Sequence, residues 1–271
     1  MRVSVGLWVC QVAALIFASP SVCAQNKPPE FGQPGKDVVW LPLPYRQVEK
    51  LLDMAGVTSL DFVIDLGSGD GRMVLAAAQR GAKARGVEFN PDLVAFSRRE
   101  ASRMGLDKRA EFVQGDLFEA DLSHATVIAL FLLESMNIRL RPTLLALAPG
   151  TRIVANTFGL GDWQPDMALH YPDDCEAWCA HFLWVVPART GGLWRAPEGR
   201  LSLEQRYQAL RGTLGEGPAA LAVTEAKLSG DTLRFKAGGT RYTARVSGKM
   251  MEGTVSTTSG LRPWRAQRIS D

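Results

Sequence analysis

Three glycines at alternate positions in Asp65-Leu66-Gly67-Ser68-Gly69-Asp70-Gly71 constrain this chain more than any other stretch. The heptad starts inside the buried-strand pattern Phe62-Val63-Ile64-Asp65-Leu66 and leads into Met73 to Arg80, whose Leu and Ala content suits a helix. Strand, glycine turn and helix open a βαβ unit, and the alternation continues downstream. Ala84 to Glu88 reads as a second strand, and Pro91 begins a helix at the position proline tolerates, with Gly105 as its stop. Ala110 to Val113 gives a third strand, the wholly apolar Thr126 to Leu133 a fourth, Arg139 to Leu147 a helix, and Arg152 to Phe158 a fifth strand. The expected fold class is α/β: a Rossmann-like, doubly wound, mostly parallel sheet.

Such sheets bind ligands at the C-terminal ends of their strands, and the chemistry-bearing residues fall there. Glycines let the backbone turn sharply and approach a ligand, and a helix N-terminus offers free N–H groups. The second strand ends in Glu88, 21 residues after Gly67, placed to accept both hydroxyls of a ribose. Gly115-Asp116-Leu117 follows the third strand, where a carboxylate and an adjacent N–H can read an adenine edge. A dinucleotide fingerprint wants a third small residue where this chain has Arg72, and Asp65 just before the loop would repel a pyrophosphate. A ligand cationic near Asp65, with ribose at Glu88 and adenine at Asp116, is S-adenosylmethionine.

Residues 60 to 160 resemble the class I, seven-strand S-adenosylmethionine-dependent methyltransferases. Asp65 to Gly71 matches that family's first motif, Glu88 its second and Asp116 its adenine-binding acid. The resemblance implies S-adenosylmethionine as methyl donor, held by Asp65, Gly67, Ser68, Gly69, Glu88, Asp116 and Leu117. Val39-Trp40-Leu41-Pro42-Leu43-Pro44 and Leu132-Leu133-Glu134-Ser135-Met136-Asn137 look like the branch containing the ATP-synthase c-subunit lysine methyltransferases. Leu43 stands where that branch carries a threonine near the donor's carboxylate.

If the acceptor is a protein lysine, its ammonium (pKa ~10.4) must lose a proton before it can attack. Glu134 and Asn137, after the fourth strand, are the candidates for orienting that amine, or else they merely start and cap the next helix. Trp40 and Tyr45 are candidates for a lid or for core packing. Asp162-Trp163-Gln164-Pro165-Asp166 is a candidate for the acceptor wall or for a turn with a packed Trp. His170 and His181 have no Ser or Cys arrangement of a hydrolase triad. A non-enzymatic donor-binding protein and a small-molecule methyltransferase are the alternative functions.

From Pro187 the pattern becomes antiparallel. Leu201 to Tyr207 alternates, Leu228 to Phe235 and Thr240 to Val246 are joined by Gly238-Gly239, and Met250 to Thr257 precedes Trp264 to Ile269. These strands suggest a small β-meander or partial barrel over residues 187–271, after a methyltransferase domain over residues 25–186. At the other end, Arg2 is followed by the apolar run Val3 to Ala18, and Val22-Cys23-Ala24 suits a signal-peptidase site before Gln25. The expectation is a cleaved export signal over residues 1–24 and a periplasmic mature protein. The alternatives are an uncleaved membrane anchor or a lipoprotein signal. Removing residues 1–24 leaves only Cys175 and Cys179, as a disulfide or as two thiols, and no metal site is expected.

The formal charge of +3 conceals a split. Residues 25 to 186 hold 16 Lys and Arg against 21 Asp and Glu, whereas residues 187 to 271 hold 14 against 7. The acidic half suits a sulfonium donor and a cationic acceptor. No nucleic-acid partner is expected, and the basic half is a candidate surface for an acidic partner or a membrane.

Overall fold

The computed structural model describes residues 29–33, 36–171, 178–258 and 260–270. The expected export signal and Cys175 lie outside them.

Strands β1 (Phe62–Leu66), β2 (Lys83–Glu88), β3 (Ala110–Gln114), β4 (Val127–Leu130) and β5 (Arg152–Asn156) pair in parallel. Strands β6 (Met167–His170) and β7 (Ala180–Val185) add to the sheet antiparallel, giving the order β3-β2-β1-β4-β5-β7-β6. The reversal between β1 and β4 opens a crevice at the strand ends, the place where ligands bind in open α/β sheets. Every residue of β4 is buried, because helices cover both faces of a central parallel strand.

Helices α1 (Tyr45–Met54), α2 (Arg72–Gln79) and α3 (Pro91–Arg103) precede or connect the strands, and α4 (Glu134–Leu145) leads from β4 towards β5. Asn90 caps α3 by accepting from the Asp92 N–H at 2.9 Å, and Pro91 fills its first turn. Helix α4 begins five residues before the expected Arg139. Its buried positions Met136, Asn137, Leu140 and Leu144 recur every three or four residues, so the packed stripe extends back to the end of β4. Pro142 lies inside α4 without ending it.

Past the sheet, β8 (Gly192–Ala196), β9 (Gly199–Arg206), β10 (Ala209–Leu214), β11 (Leu221–Ser229), β12 (Thr232–Ala237), β13 (Thr240–Ser247), β14 (Met250–Thr257) and β15 (Gly260–Ser270) form a closed antiparallel barrel. The expected single strand Leu228 to Phe235 is two strands. Gly230 adopts a left-handed φ of +58°, and with Asp231 it turns β11 back into β12. Closure comes from the pairing of β15 with β8. The barrel interior is filled rather than hollow: Phe235 stacks on Tyr242 at 4.6 Å, and Trp264 meets both rings edge-on. Burying each such aromatic removes ~150–250 Å² from water, roughly 4–6 kcal/mol of hydrophobic stabilisation.

The barrel is fastened to the sheet by the β9–β10 turn. Trp163 is fully buried, stacks on Tyr207 at 5.7 Å and donates its indole N–H to Gln208 at 2.8 Å. Asp162 accepts from Arg141 of α4, Arg206 of β9 and the Tyr207 hydroxyl. The segment Asp162 to Asp166 is therefore a turn with a packed Trp that docks the barrel.

Candidate active site

The crevice is a cavity floored by the loop after β1 and lined by Asp65, Gly67, Ser68, Gly69, Glu88, Asp116 and Leu117, all of the donor-site candidates. Glu88, 9% exposed, accepts from the Gly69 N–H through one carboxylate oxygen and from the Asn90 N–H through the other, both at 2.9 Å. One side chain thus fixes the glycine loop and the start of α3, while keeping lone pairs directed to a further ligand. The Gly67 and Ser68 N–H groups bond back to the Val87 carbonyl, holding the loop against β2.

Asp65 is 7% exposed. Burial pushes its carboxyl up to about 8, and the charges of Glu88 and Asp70 add to the rise. A site with so much negative potential and so little water is stabilised by a cation. The Ser68 hydroxyl is likewise buried, with no hydrogen-bond partner among the described residues. Gly69 has a φ of +54°, and a Cβ there would lie 2.3 Å from the Trp40 indole nitrogen, so only glycine lets the loop pass beneath that ring. An acidic pocket, a buried hydroxyl with no partner among the described residues and a glycine loop lying directly under the Trp40 ring together fit S-adenosylmethionine.

Residues 36–43 form a strap over the cavity. At one end Lys36 pairs with Asp116, and this pairing holds the Asp116 carboxyl below its ordinary range and raises the Lys36 ammonium. At the other end Arg72 donates to the Leu43 carbonyl at 2.7 Å while its guanidinium pairs with Asp70. Trp40 closes the middle. Tyr45 lies outside the cavity wall, exposed beside Arg72. Sequence reasoning passed over Lys36 and the role of Arg72. The one available signal was Arg72 itself, a long side chain where a dinucleotide site needs a small one.

The two acceptor-orienting candidates do not meet on the cavity wall. Glu134 is the exposed first residue of α4. Asn137 is fully buried and donates to the Phe158 carbonyl at 3.1 Å, tying α4 to the segment after β5. The cavity is lined there by Phe131, Leu132 and Met136, which flank Glu134 in sequence. His181 is fully buried on β7, next to Tyr171. Cys179 is disulfide-bonded.

Comparison with known proteins agrees with this geometry. The ANTKMT methyltransferase domain family matches residues 65–167. A protein-lysine N-methyltransferase of Saccharolobus islandicus is 38% identical over 139 residues, 50% of this chain and 86% of that protein. The human lysine N-methyltransferase of the ATP-synthase c-subunit is 34% identical over 128 residues, 47% of this chain and 54% of that protein. The chain thus spans most of the archaeal relative and about half of the human one. Among solved structures, an RNA methyltransferase from Salinibacter ruber in complex with S-adenosyl-L-homocysteine is 42% identical with a TM-score of 0.52, covering 55% of this chain and 96% of that one. A glycine loop beside a buried acid, Glu88 at the end of β2, Asp116 beyond the end of β3 and these relatives lead to one conclusion: the chain belongs to the class I S-adenosylmethionine-dependent methyltransferases.

Proposed function

We propose that the enzyme methylates the side-chain amine of a protein lysine. The observation that carries this reading is the 38% identity to a protein-lysine N-methyltransferase over 86% of that relative's length. Electrostatics favours the same acceptor. Asp37, Asp65, Asp70, Glu88 and Asp116 line the cavity against Lys36 and Arg72, which pair with Asp116 and Asp70, so the lining keeps a net negative charge, and the surrounding half of the chain has more acidic than basic residues. Such a site attracts a lysine and opposes the phosphates of an RNA acceptor.

In this proposal Asp65, Gly67, Ser68, Gly69, Glu88, Asp116 and Leu117 hold the donor, which supplies an electrophilic methyl group on a sulfonium. Phe131, Leu132, Met136 and Trp40 exclude water from the acceptor side, which favours the neutral amine over the ammonium. Glu134, exposed at the head of α4 beside the lining residues Leu132 and Met136, draws the lysine towards the cavity mouth, and the ammonium gives up its proton to solvent as it enters. Asn137 acts only by holding the segment after β5. Residues 1–24 direct export, and the disulfide at Cys179 supports an oxidising compartment.

Incubating the protein with methyl-tritiated donor and an extract of its host tests the acceptor. Acid hydrolysis of the labelled fraction should release methyllysine. Label that is removed by ribonuclease, or that stays in the low-mass fraction, would overturn the lysine reading. N-terminal sequencing of the mature protein should begin at Gln25, and an intact Met1 would refute cleavage.

A further inference from the structure

The outer face of the barrel carries a feature that methyl transfer does not use. Lys227 of β11 stands directly opposite Arg234 of β12, and Lys236 of β12 directly opposite Arg241 of β13. Like charges at directly paired positions destabilise a sheet, yet they occur twice on three neighbouring strands. Glu225 neutralises Lys236, with 2.7 Å between the charged atoms, and Asp231 neutralises Arg245 at 2.6 Å. Lys227, Arg234 and Arg241 are exposed and make no contact ion pair among the described residues, although Lys227 lies near enough to Asp166 of the sheet half for its charge to act on that carboxyl. Lys227 and Arg234, with Ser229 and Thr232, also rim a shallow concavity.

We infer that this face docks on an anionic phospholipid surface, with the concavity between Lys227 and Arg234 as the seat for a headgroup phosphate. Three observations select this occupant among polyanions. The outward positions of β12 and β13 are Thr232, Arg234, Lys236, Arg241, Thr243, Arg245 and Ser247. None is aromatic, whereas single-stranded nucleic acid is held largely by stacking on aromatic rings. None is a large apolar residue of the kind that anchors a protein interface. The acidic methyltransferase half is repelled by the same surface, which confines contact to the barrel. The inference is independent of which acceptor is methylated.

The test is co-sedimentation of the full chain with vesicles of phosphatidylcholine alone and of an equimolar mixture with phosphatidylglycerol. The protein should partition into the anionic vesicles about tenfold or more over the neutral ones, and the preference should collapse at high salt. Adsorption through Arg2 and the apolar run near the N-terminus is common to the parent chain and the variants, so the difference between them reports the barrel face alone. Arg234→Glu/Arg241→Glu should abolish the preference while leaving donor affinity in calorimetry unchanged. Arg234→Gln/Arg241→Gln, which removes charge without reversing it, should reduce the preference if the reversal disturbs the barrel. Equal partition into both vesicles, or an anionic preference retained in both variants, would overturn the proposal. So would a single-stranded oligonucleotide that binds more tightly than the anionic vesicles and loses its binding in the variants, since the face would then belong to nucleic acid.

Discussion

Asp65 places function and stability in opposition. An unfolded Asp loses its proton near pH 4, whereas the folded protein holds it to about 8. This contribution to stability is therefore fully present below pH 4 and is lost as pH rises through 8. Asp65→Asn should stabilise the donor-free protein at neutral pH by ~2–4 kcal/mol, read as a raised Tm, and weaken donor binding about tenfold or more. Because the cationic donor prefers the carboxylate, its binding should release a proton at neutral pH. Calorimetry in two buffers of different ionisation enthalpy should detect that proton, and affinity should climb with pH up to about 8. Glu88→Ala removes the acceptor of both the Gly69 and Asn90 N–H groups, so donor affinity should fall by a similar factor. Asp65, Gly69 and Glu88 were legible in sequence because strand ends and turn glycines are local signals. The side of α4 that Asn137 faces was not, because it depends on where the helix begins.

At the scale of elements, the strap over residues 36–43 is held by contacts remote in sequence, 80 residues apart for Lys36 and Asp116 and 29 for Arg72 and Leu43. Lys36 occupies one oxygen of Asp116 and the Phe118 N–H the other, so a donor group that bonds to this carboxylate competes with Lys36. Lys36→Met should accelerate donor association several-fold in stopped-flow fluorescence and remove its salt dependence. An unchanged or slower association would show that Lys36 clamps the ligand instead of competing with it. Strands β1, β4 and β5 were readable because burial on both faces leaves nearly uninterrupted apolar runs, whereas the more polar β2 and β3 were readable from their alternation with helices. Strand β6 was not: its four residues are all exposed, so no alternation marks it. In the barrel, Gly238-Gly239 signalled the β12–β13 hairpin, but the turn at Gly230-Asp231 was absorbed into one apparent strand.

For the whole molecule, the junction between sheet and barrel rests on Trp163 and Asp162. Trp163→Ala should cost ~3–5 kcal/mol and split a single calorimetric transition into two, as barrel and sheet cease to melt together. Hydrogen bonds from Arg206 and Tyr207 hold the Asp162 carboxyl down at about 2. Its contribution is thus present above pH 4 and lost as pH falls towards 2, so acid should weaken the junction slightly, and Asp162→Asn should remove that part of the pH dependence of the melting temperature. The closure of the barrel sets an order of events during synthesis. Its first strand, β8, pairs with its last, β15, and residues 197–259 lie between them. At ~5–20 residues per second, β8 waits several seconds or more with an unsatisfied edge while the earlier methyltransferase strands are already available to pair. A nascent barrel in that interval is a template for pairing with its neighbours, so a premature stop within β15 should yield a chain that aggregates through the barrel even though every residue of its donor site has been made.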